Sequence, residues 1–363
     1  MEPNPHNLVT SLSRFKNILI AVKVSPDPDA IASSYAMSAL CGSLGISSTI
    51  VSMKKMSLPA NKAFVSILRI PIAFSAAELD IGAFDAYIVT DHQSPLIPEI
   101  TKTLPCAAYI DHHDPDGDTV KSDFILKNLD AGATSSLVAL LFRDLSVSLD
   151  GPAMTSVATA LLYGIYTDTD KYSHVHRIDY EALDYLSKFS DHALFQKISS
   201  IPLSRKTLQL LKIATGDRVA YKDWLIAGVG YLDASHRDSI AIVADFLLKR
   251  EKFNTVIVYA AIEEGNSLTL DASMRSNSDL INLNDIIKKI TSQGGARKFK
   301  GAFQINLDYF SLCPDRRLLW DLIHAATLEQ LKRRRDEMYG IELRGFYGRL
   351  RRKVRGYFGS GAD

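Results

Sequence analysis

The apolar run Ala107-Ala108-Tyr109-Ile110 ends in Asp111-His112-His113-Asp114, so a carboxylate and two imidazoles leave one strand with nothing between them. Imidazole nitrogen and carboxylate oxygen together suit Mn, Fe, Zn or Mg according to the mix, and a strand end holds such ligands more rigidly than a loop. A lone triplet of this kind also serves as a capped, solvated turn. Three further stretches argue otherwise here. Ser25-Pro26-Asp27-Pro28-Asp29 follows Ile18-Leu19-Ile20-Ala21-Val22, Thr90-Asp91-His92 ends Ala86-Tyr87-Ile88-Val89, and Thr167-Asp168-Thr169-Asp170 ends another apolar segment. Carboxylates gathered at one point repel, and their ionised forms are tolerable only beside concentrated positive charge, which divalent cations supply.

The elements that must position these acids read as an α/β fold. Residues 16–24 are mostly apolar and rich in Ile and Val, and 27–45 read as a helix closed by a glycine. Residues 48–53, 85–90 and 107–110 are short apolar strands of the kind a buried parallel sheet contains. In such open sheets, sites form outside the carboxyl ends of the strands, which is where the acids lie. Helices are predicted over 132–145 and 152–166, and the opening Gly132-Ala133-Thr134-Ser135-Ser136 reads as a cap rather than a ligand set. From 189 to 215 the pattern is helical but weaker, broken at Ile201-Pro202-Leu203-Ser204. A second α/β unit follows, with strands at 225–231, 255–262 and 267–274 and helices at 238–250 and 283–290, and a further helix begins after Cys313-Pro314. The spacing predicts a parallel-sheet domain over 14–195, a linker over 196–216, a smaller α/β domain over 217–313 with a cleft between the two domains, and a C-terminal helix and basic tail over 314–363.

Size and composition agree with this. A chain of 363 residues exceeds one usual core, and 47% hydrophobic residues suffice for two. Cys41, Cys106 and Cys313 lie far apart and form no CxxC pair, so neither a disulfide framework nor a zinc site is expected, and a reducing cytoplasm is. No apolar run approaches the roughly 18–20 residues of a spanning helix. The formal net charge of +1 is unevenly distributed. Lys332-Arg333-Arg334-Arg335 and later Arg349, Arg351, Arg352, Lys353 and Arg355 make the end basic, with Tyr347, Leu350, Val354 and Tyr357 at helical spacing. That pattern fits weak contact with nucleic acid or an anionic surface, and it equally fits a solvated end weakened as a helix by Gly345, Gly348 and Gly356.

In order and spacing the four acid-bearing stretches resemble the DHH phosphoesterase family. Met274-Arg275-Ser276-Asn277 and Gly294-Gly295-Ala296-Arg297 resemble the substrate-binding motifs of the DHH-associated second domain, found in the nucleotide-cleaving branch with nano-RNases and pAp phosphatases. The motifs run from about residue 16 to 304. The resemblance implies a metal-dependent phosphohydrolase of small nucleotides, short oligoribonucleotides or pAp, using two divalent ions, most simply Mn2+. It implies Asp27 and Asp91 at the first ion and Asp29, Asp91, His112 and Asp168 at the second, with Asp91 bridging. It makes Asp91, His112 and His113 catalytic, His113 next to the phosphate or leaving group, and gives Arg275, Gly294, Gly295 and Arg297 to the substrate. The alternatives are a cyclic or linear dinucleotide phosphodiesterase and a nucleotide-binding regulator with impaired catalysis; a homodimer is compatible with all three.

Two positions depart from the family. Its first motif opens with a histidine ligand where this chain has Lys23, whose ammonium cannot bind a metal. Either His92 replaces it, or Lys23 supplies the charge itself, or the first ion binds only with substrate, or turnover has been lost. Arg297 stands where the family's glycine-rich stretch carries a histidine, which keeps positive charge for a phosphate.

Overall fold

Strands that are apolar on both faces build the first sheet. A computed structural model describes residues 3–22, 26–53, 56, 58–74, 79–114, 120–296 and 299–358, with side chains through 338. The chain divides into two units, 1–203 and 204–363. The first begins with α1 (Pro5–Leu12), β1 (Asn17–Val22), α2 (Pro28–Ser43), β2 (Ser47–Ser52), α3 (Pro59–Leu68), β3 (Ile72–Phe74) and β4 (Ala86–Thr90). It continues with α4 (Pro98–Thr101), β5 (Cys106–Asp111), β6 (Ser122–Lys127), α5 (Thr134–Asp144), α6 (Gly151–Asp168), α7 (Arg177–Ser187) and α8 (His192–Ser199).

The six strands are parallel in the order β3-β2-β1-β4-β5-β6. Successive side chains of a strand point to opposite faces, so β1 sends Ile18, Ile20 and Val22 into one core layer and Leu19 and Ala21 into the other. Burial on both sides is why the run shows no polar alternation. The order reverses between β1 and β4, which opens a crevice at the carboxyl ends there. β1, β4 and β5 are therefore neighbours, and each runs into an acid-bearing segment. The edge strand β6 escapes the sequence reading because only Phe124 and Leu126 of its six residues are buried.

The second unit contains α9 (Arg205–Gly216), β7 (Val219–Tyr221), β8 (Trp224–Asp233), α10 (Ser239–Arg250), β9 (Thr255–Glu264) and β10 (Ser267–Ser276). After these come α11 (Leu283–Lys288), β11 (Gly294–Ala296), β12 (Lys300–Asn306) and α12 (Arg316–Phe358). Its sheet runs β11-β12-β10-β9-β8-β7, with β8 and β9 parallel and the other pairs antiparallel. Trp224 and Ile226 face one core layer, and Leu225 and Ala227 face the other. The stretch 205–216, read from sequence as linker, is the helix α9, whose Leu210, Leu211 and Ala214 join the core of the second unit.

The helix α12 continues through Gly345, Gly348 and Gly356. Each member of its first basic cluster lies beside an acid: Lys332 is 2.8 Å from Glu329, Arg333 and Arg334 share Glu337 at 3.2 and 2.7 Å, and Arg335 pairs with Asp223. The later basic residues lie outside the described side chains. Among the described residues no helix is long and apolar enough to cross a membrane.

Candidate metal centre

Asp29 stands in the first turn of α2 and is 1% exposed. Its two oxygens accept the backbone N–H groups of Thr134 and Ser135, each at 2.8 Å, where α5 begins. A helix N-terminus has unsatisfied N–H groups and a positive dipole end, so it holds a carboxylate in place and partly offsets its charge. The Thr134-Ser135-Ser136 run thus does not cap its own helix as the sequence suggested. Ala133 occupies the cap position and makes no side-chain bond, because Asp29, from another helix, satisfies those donors instead. Gly164 of α6 lets this approach happen: a Cβ there would lie 2.3 Å from Ser135 Oγ and 3.1 Å from Asp29 Oδ1.

Asp91 leaves β4 with φ of 56°, a left-handed conformation that aspartate tolerates better than most residues. Thr134 Oγ1 donates to its Oδ1 at 3.1 Å. Asp168 is the last residue of α6, and Asp170, Lys171 and Tyr172 just beyond it all adopt positive φ, which ends the helix at that point. His112 joins these acids. Its Nδ1 is 3.0 Å from the Ala131 carbonyl, to which it donates, so Nε2 is the atom turned toward the carboxylates. Nε2 lies 3.1 Å from Asp168 Oδ2 and 3.5 Å from Asp91 Oδ1, yet makes no well-directed hydrogen bond.

Two groups of ligand atoms result, each within 4.8 Å: Asp91, His112 and His113, and Asp29, His112 and Asp168. The donors fit a divalent cation. A carbonyl fixing one ring nitrogen while the other faces carboxylates is the usual arrangement around a metal-ligating histidine. His113 has its own support: its Nδ1 lies 2.6 Å from Asp111 Oδ1, and Tyr109 OH donates to Asp111 Oδ2 at 3.0 Å.

Burial pushes the Asp29 carboxyl up to about 7, reinforced by the charge of Asp168. Burial likewise raises Asp91 well above the usual carboxylate range, with Asp29 and Asp27 adding to it. Burial would lower His112, but its contact with Asp168 and the charge of Asp91 lift it to about 10. Asp111 is pushed up by burial too, yet the bond and charge of His113, the charge of His112 and the bond from Tyr109 together outweigh this and hold it below its ordinary value. Asp29 and Asp91 thus take up protons more readily than ordinary carboxylates, and His112 holds its proton more firmly than an ordinary imidazole.

This has a measurable consequence. The folded chain holds extra protons from the ordinary 3.8 to about 7 at Asp29, and from 6.5 to about 10 at His112. Stability from a raised pKa is complete below the window and is lost as pH rises through it. Chelator-treated protein should therefore melt at a lower temperature at pH 8.5 than at pH 5.5. A divalent cation that displaces those protons should reverse the loss, with its largest effect at high pH. Melting temperatures that ignore both pH and cation would remove the basis for a charged centre here.

The remaining predicted positions are placed differently. Asp27 belongs to neither ligand group; its Oδ1 caps α2 by accepting Ala30 N–H at 2.9 Å, although its charge reaches Asp29 and Asp91. The Nδ1 of His92 is 3.0 Å from Ser94 O, and this histidine also stands outside both groups. Lys23 and Arg297 lie outside the described residues.

In the second unit, Arg275 is 9% exposed and is held by its neighbours: Nε lies 2.6 Å from Asp245, and Nη1 donates to Ser273 Oγ at 2.8 Å and Met274 O at 2.9 Å. Arg275→Ala should therefore cost about 1–3 kcal/mol of stability from the groups it leaves unpaired, measurable by denaturant melt. An unchanged midpoint would show that these contacts carry no weight. Gly294 is required by the pairing of β11 with β12, since a Cβ would lie 2.6 Å from that of Phe303. At Gly295 the nearest atom, Asn284 Oδ1, would be 3.7 Å away, which leaves room for a ligand.

Sequence reasoning passed over Asp179, which is fully buried. Its carboxylate accepts Gly132 N–H with both oxygens at 3.0 Å, Ser136 Oγ–H at 2.6 Å and His176 N–H at 2.7 Å. An acid in the first turn of an ordinary-looking helix gives no signal of this.

An uncharacterized protein of Methanocaldococcus jannaschii is 29% identical over 331 residues, covering 88% of this chain. The chain spans 65% of the length of that relative. An exopolyphosphatase-related protein from Bacteroides fragilis shares the fold, with a TM-score of 0.66 and 16% identity over 91% of this chain and 96% of its own. Residues 17–165, which hold β1 through most of α6, match the DHH family, N-terminal domain.

Proposed function

We propose that the chain is a metal-dependent phosphohydrolase that cleaves phosphate esters of small nucleotides, short oligoribonucleotides or pAp. The observation that carries this reading is the meeting of Asp29, Asp91 and Asp168 around His112 Nε2. Two divalent ions bound there would supply positive charge to the phosphate oxygens and lower the pKa of an attacking water. The mixed donor set suits Mn2+. On this reading Asp27 and Asp91 serve the first ion, and Asp29, Asp91, His112 and Asp168 the second. The N-terminus of α5 keeps Asp29 from turning away, and Thr134 does the same for Asp91. His113, whose Nδ1 lies 2.6 Å from Asp111 Oδ1, would give a proton from Nε2 to the departing oxygen when both ring nitrogens carry one, Asp111 stabilising that cationic form. Arg275, Gly294, Gly295 and Arg297 would receive the part of the substrate that does not react.

The position of Lys23 favours a second reading, a nucleotide-binding regulator with impaired turnover. One experiment separates them. Metal content is measured beside a hydrolysis panel of di- to pentanucleotides, pAp, cyclic and linear dinucleotides and pyrophosphate, with Mn2+ and with chelator. The hydrolase reading expects chelator-sensitive turnover of at least one nucleotide. Bound nucleotide and metal without turnover of any of them would leave the regulator standing.

A further inference from the structure

A cavity of about 630 Å3 in the second unit is formed by the start of α10, β10, β12 and the approach to β11, a size suited to a small ligand. Ile240, Ala241 and Ala302 give it apolar surface, whereas Ala272 and Phe303 line it from strands whose side chains there face the other core layer. Its polar side is rich in acceptors. Among the described residues, Asp238 and Asp271 line it against a single guanidinium, that of Arg237, whose Nε already lies 2.7 Å from Asp271. Asp271 also receives Thr269 Oγ1–H and Gln304 Nε2–H, each at 2.8 Å, so its own needs are met within the chain. That bond fixes the Gln304 amide, because the reverse orientation would set two acceptors face to face; Oε1 is left as an acceptor.

Asp238 is different. It stands at the cap position of α10 but makes no capping bond. Burial pushes its carboxyl above the ordinary value, and the charge of Arg237 opposes this only in part. With two carboxylates against one cation already engaged, the cavity is unsuited to a phosphate. It calls for a flat apolar body with adjacent N–H donors.

We propose that this cavity binds a guanine base, whose neighbouring N1–H and N2–H donate to the two oxygens of Asp238, with Gln304 Oε1 as a further acceptor and the ring against Ile240 and Ala302. Adenine sets a ring acceptor beside its amino group, and a carboxylate would repel that lone pair. The inference rests on the reading of the substrate as a nucleotide, and it specifies which base the second unit selects.

Guanosine, adenosine and ribose carry no phosphate, so they test the cavity in the metal-loaded full chain without relying on turnover. Titration by calorimetry, with saturation-transfer NMR for weak binding, should give guanosine an affinity at least about tenfold above adenosine, with ribose unbound and inorganic phosphate not competing. Asp238→Asn keeps the helix start as stable and presents an acceptor beside a donor, matching the adenine edge; this variant should prefer adenosine. Equal affinities in the wild-type chain, no binding of guanosine, competition by phosphate, or an Asp238→Asn variant that still prefers guanosine would each overturn the proposal. Guanosine binding in a chain that hydrolyses nothing would instead count against the hydrolase reading alone.

Discussion

Asp168→Ala should reduce hydrolysis about a thousandfold and leave the chain folded. The size follows from losing several kcal/mol of charge stabilisation, at tenfold in rate per 1.36 kcal/mol. Asp168 ends α6 and its side chain is 14% exposed, so truncation opens no core cavity. The same change deletes the nearest carboxylate of His112, 3.1 Å away, and a neighbour that raises Asp29. Three readouts should therefore move together in the variant. Turnover falls, metal content falls, and the His112 titration drops from about 10 toward its ordinary value. Circular dichroism should stay native. Asp91→Ala should also abolish turnover but is the less clean test, because alanine at a φ of 56° adds backbone strain of about 1 kcal/mol or more. Activity within a few-fold of wild type for Asp168→Ala would sink the assignment of the centre.

Why these acids were legible, and others were not, follows from chain distance. Asp91, His112 and His113 follow β4 and β5 directly, and the apolar runs that announce those strands also announce what their ends deliver. The supports come from far away. Asp29 is fixed by residues 105 and 106 positions later, and Asp91 by one 43 positions later. Asp111 sat within the motif, but its bond to His113 depends on how the chain turns after β5. The same limit applies in the second unit. Arg275 resembles a phosphate-binding residue in sequence, and only the fold reveals Asp245 against it, 30 positions away. Residues 332–335 read as a concentration of positive charge, and only the fold reveals the acids beside them, one distant in sequence at Asp223 and others within a helical turn at Glu329 and Glu337.

Asp179→Asn should damage the centre without altering any residue of either ligand group. The carboxylate clamps the stretch 131–136 through Gly132 and Ser136. From that stretch the Ala131 carbonyl orients His112, the N–H groups of Thr134 and Ser135 hold Asp29, and Thr134 Oγ1 holds Asp91. The fit is close: a Cβ on Gly132 would lie 2.5 Å from Asp179 Oδ2. Asparagine has the same shape but replaces one acceptor with an NH2 group. The Ser136 hydroxyl can rotate to accept from it, whereas the N–H of Gly132 cannot, so a bifurcated, charge-assisted contact is reduced to a single neutral one. We expect a loss of about 1–3 kcal/mol in stability and a roughly 10- to 100-fold weaker metal affinity, the range for a group that orients ligands rather than binding the ion. The decisive readout is rescue. Because every ligand remains, excess Mn2+ should restore much of the rate at a temperature well below melting, whereas damage by instability alone would not respond to metal. If Asp179→Asn titrates with metal as the wild-type chain does, then residues 131–136 keep their place without the clamp, and Asp179 serves only to start α7.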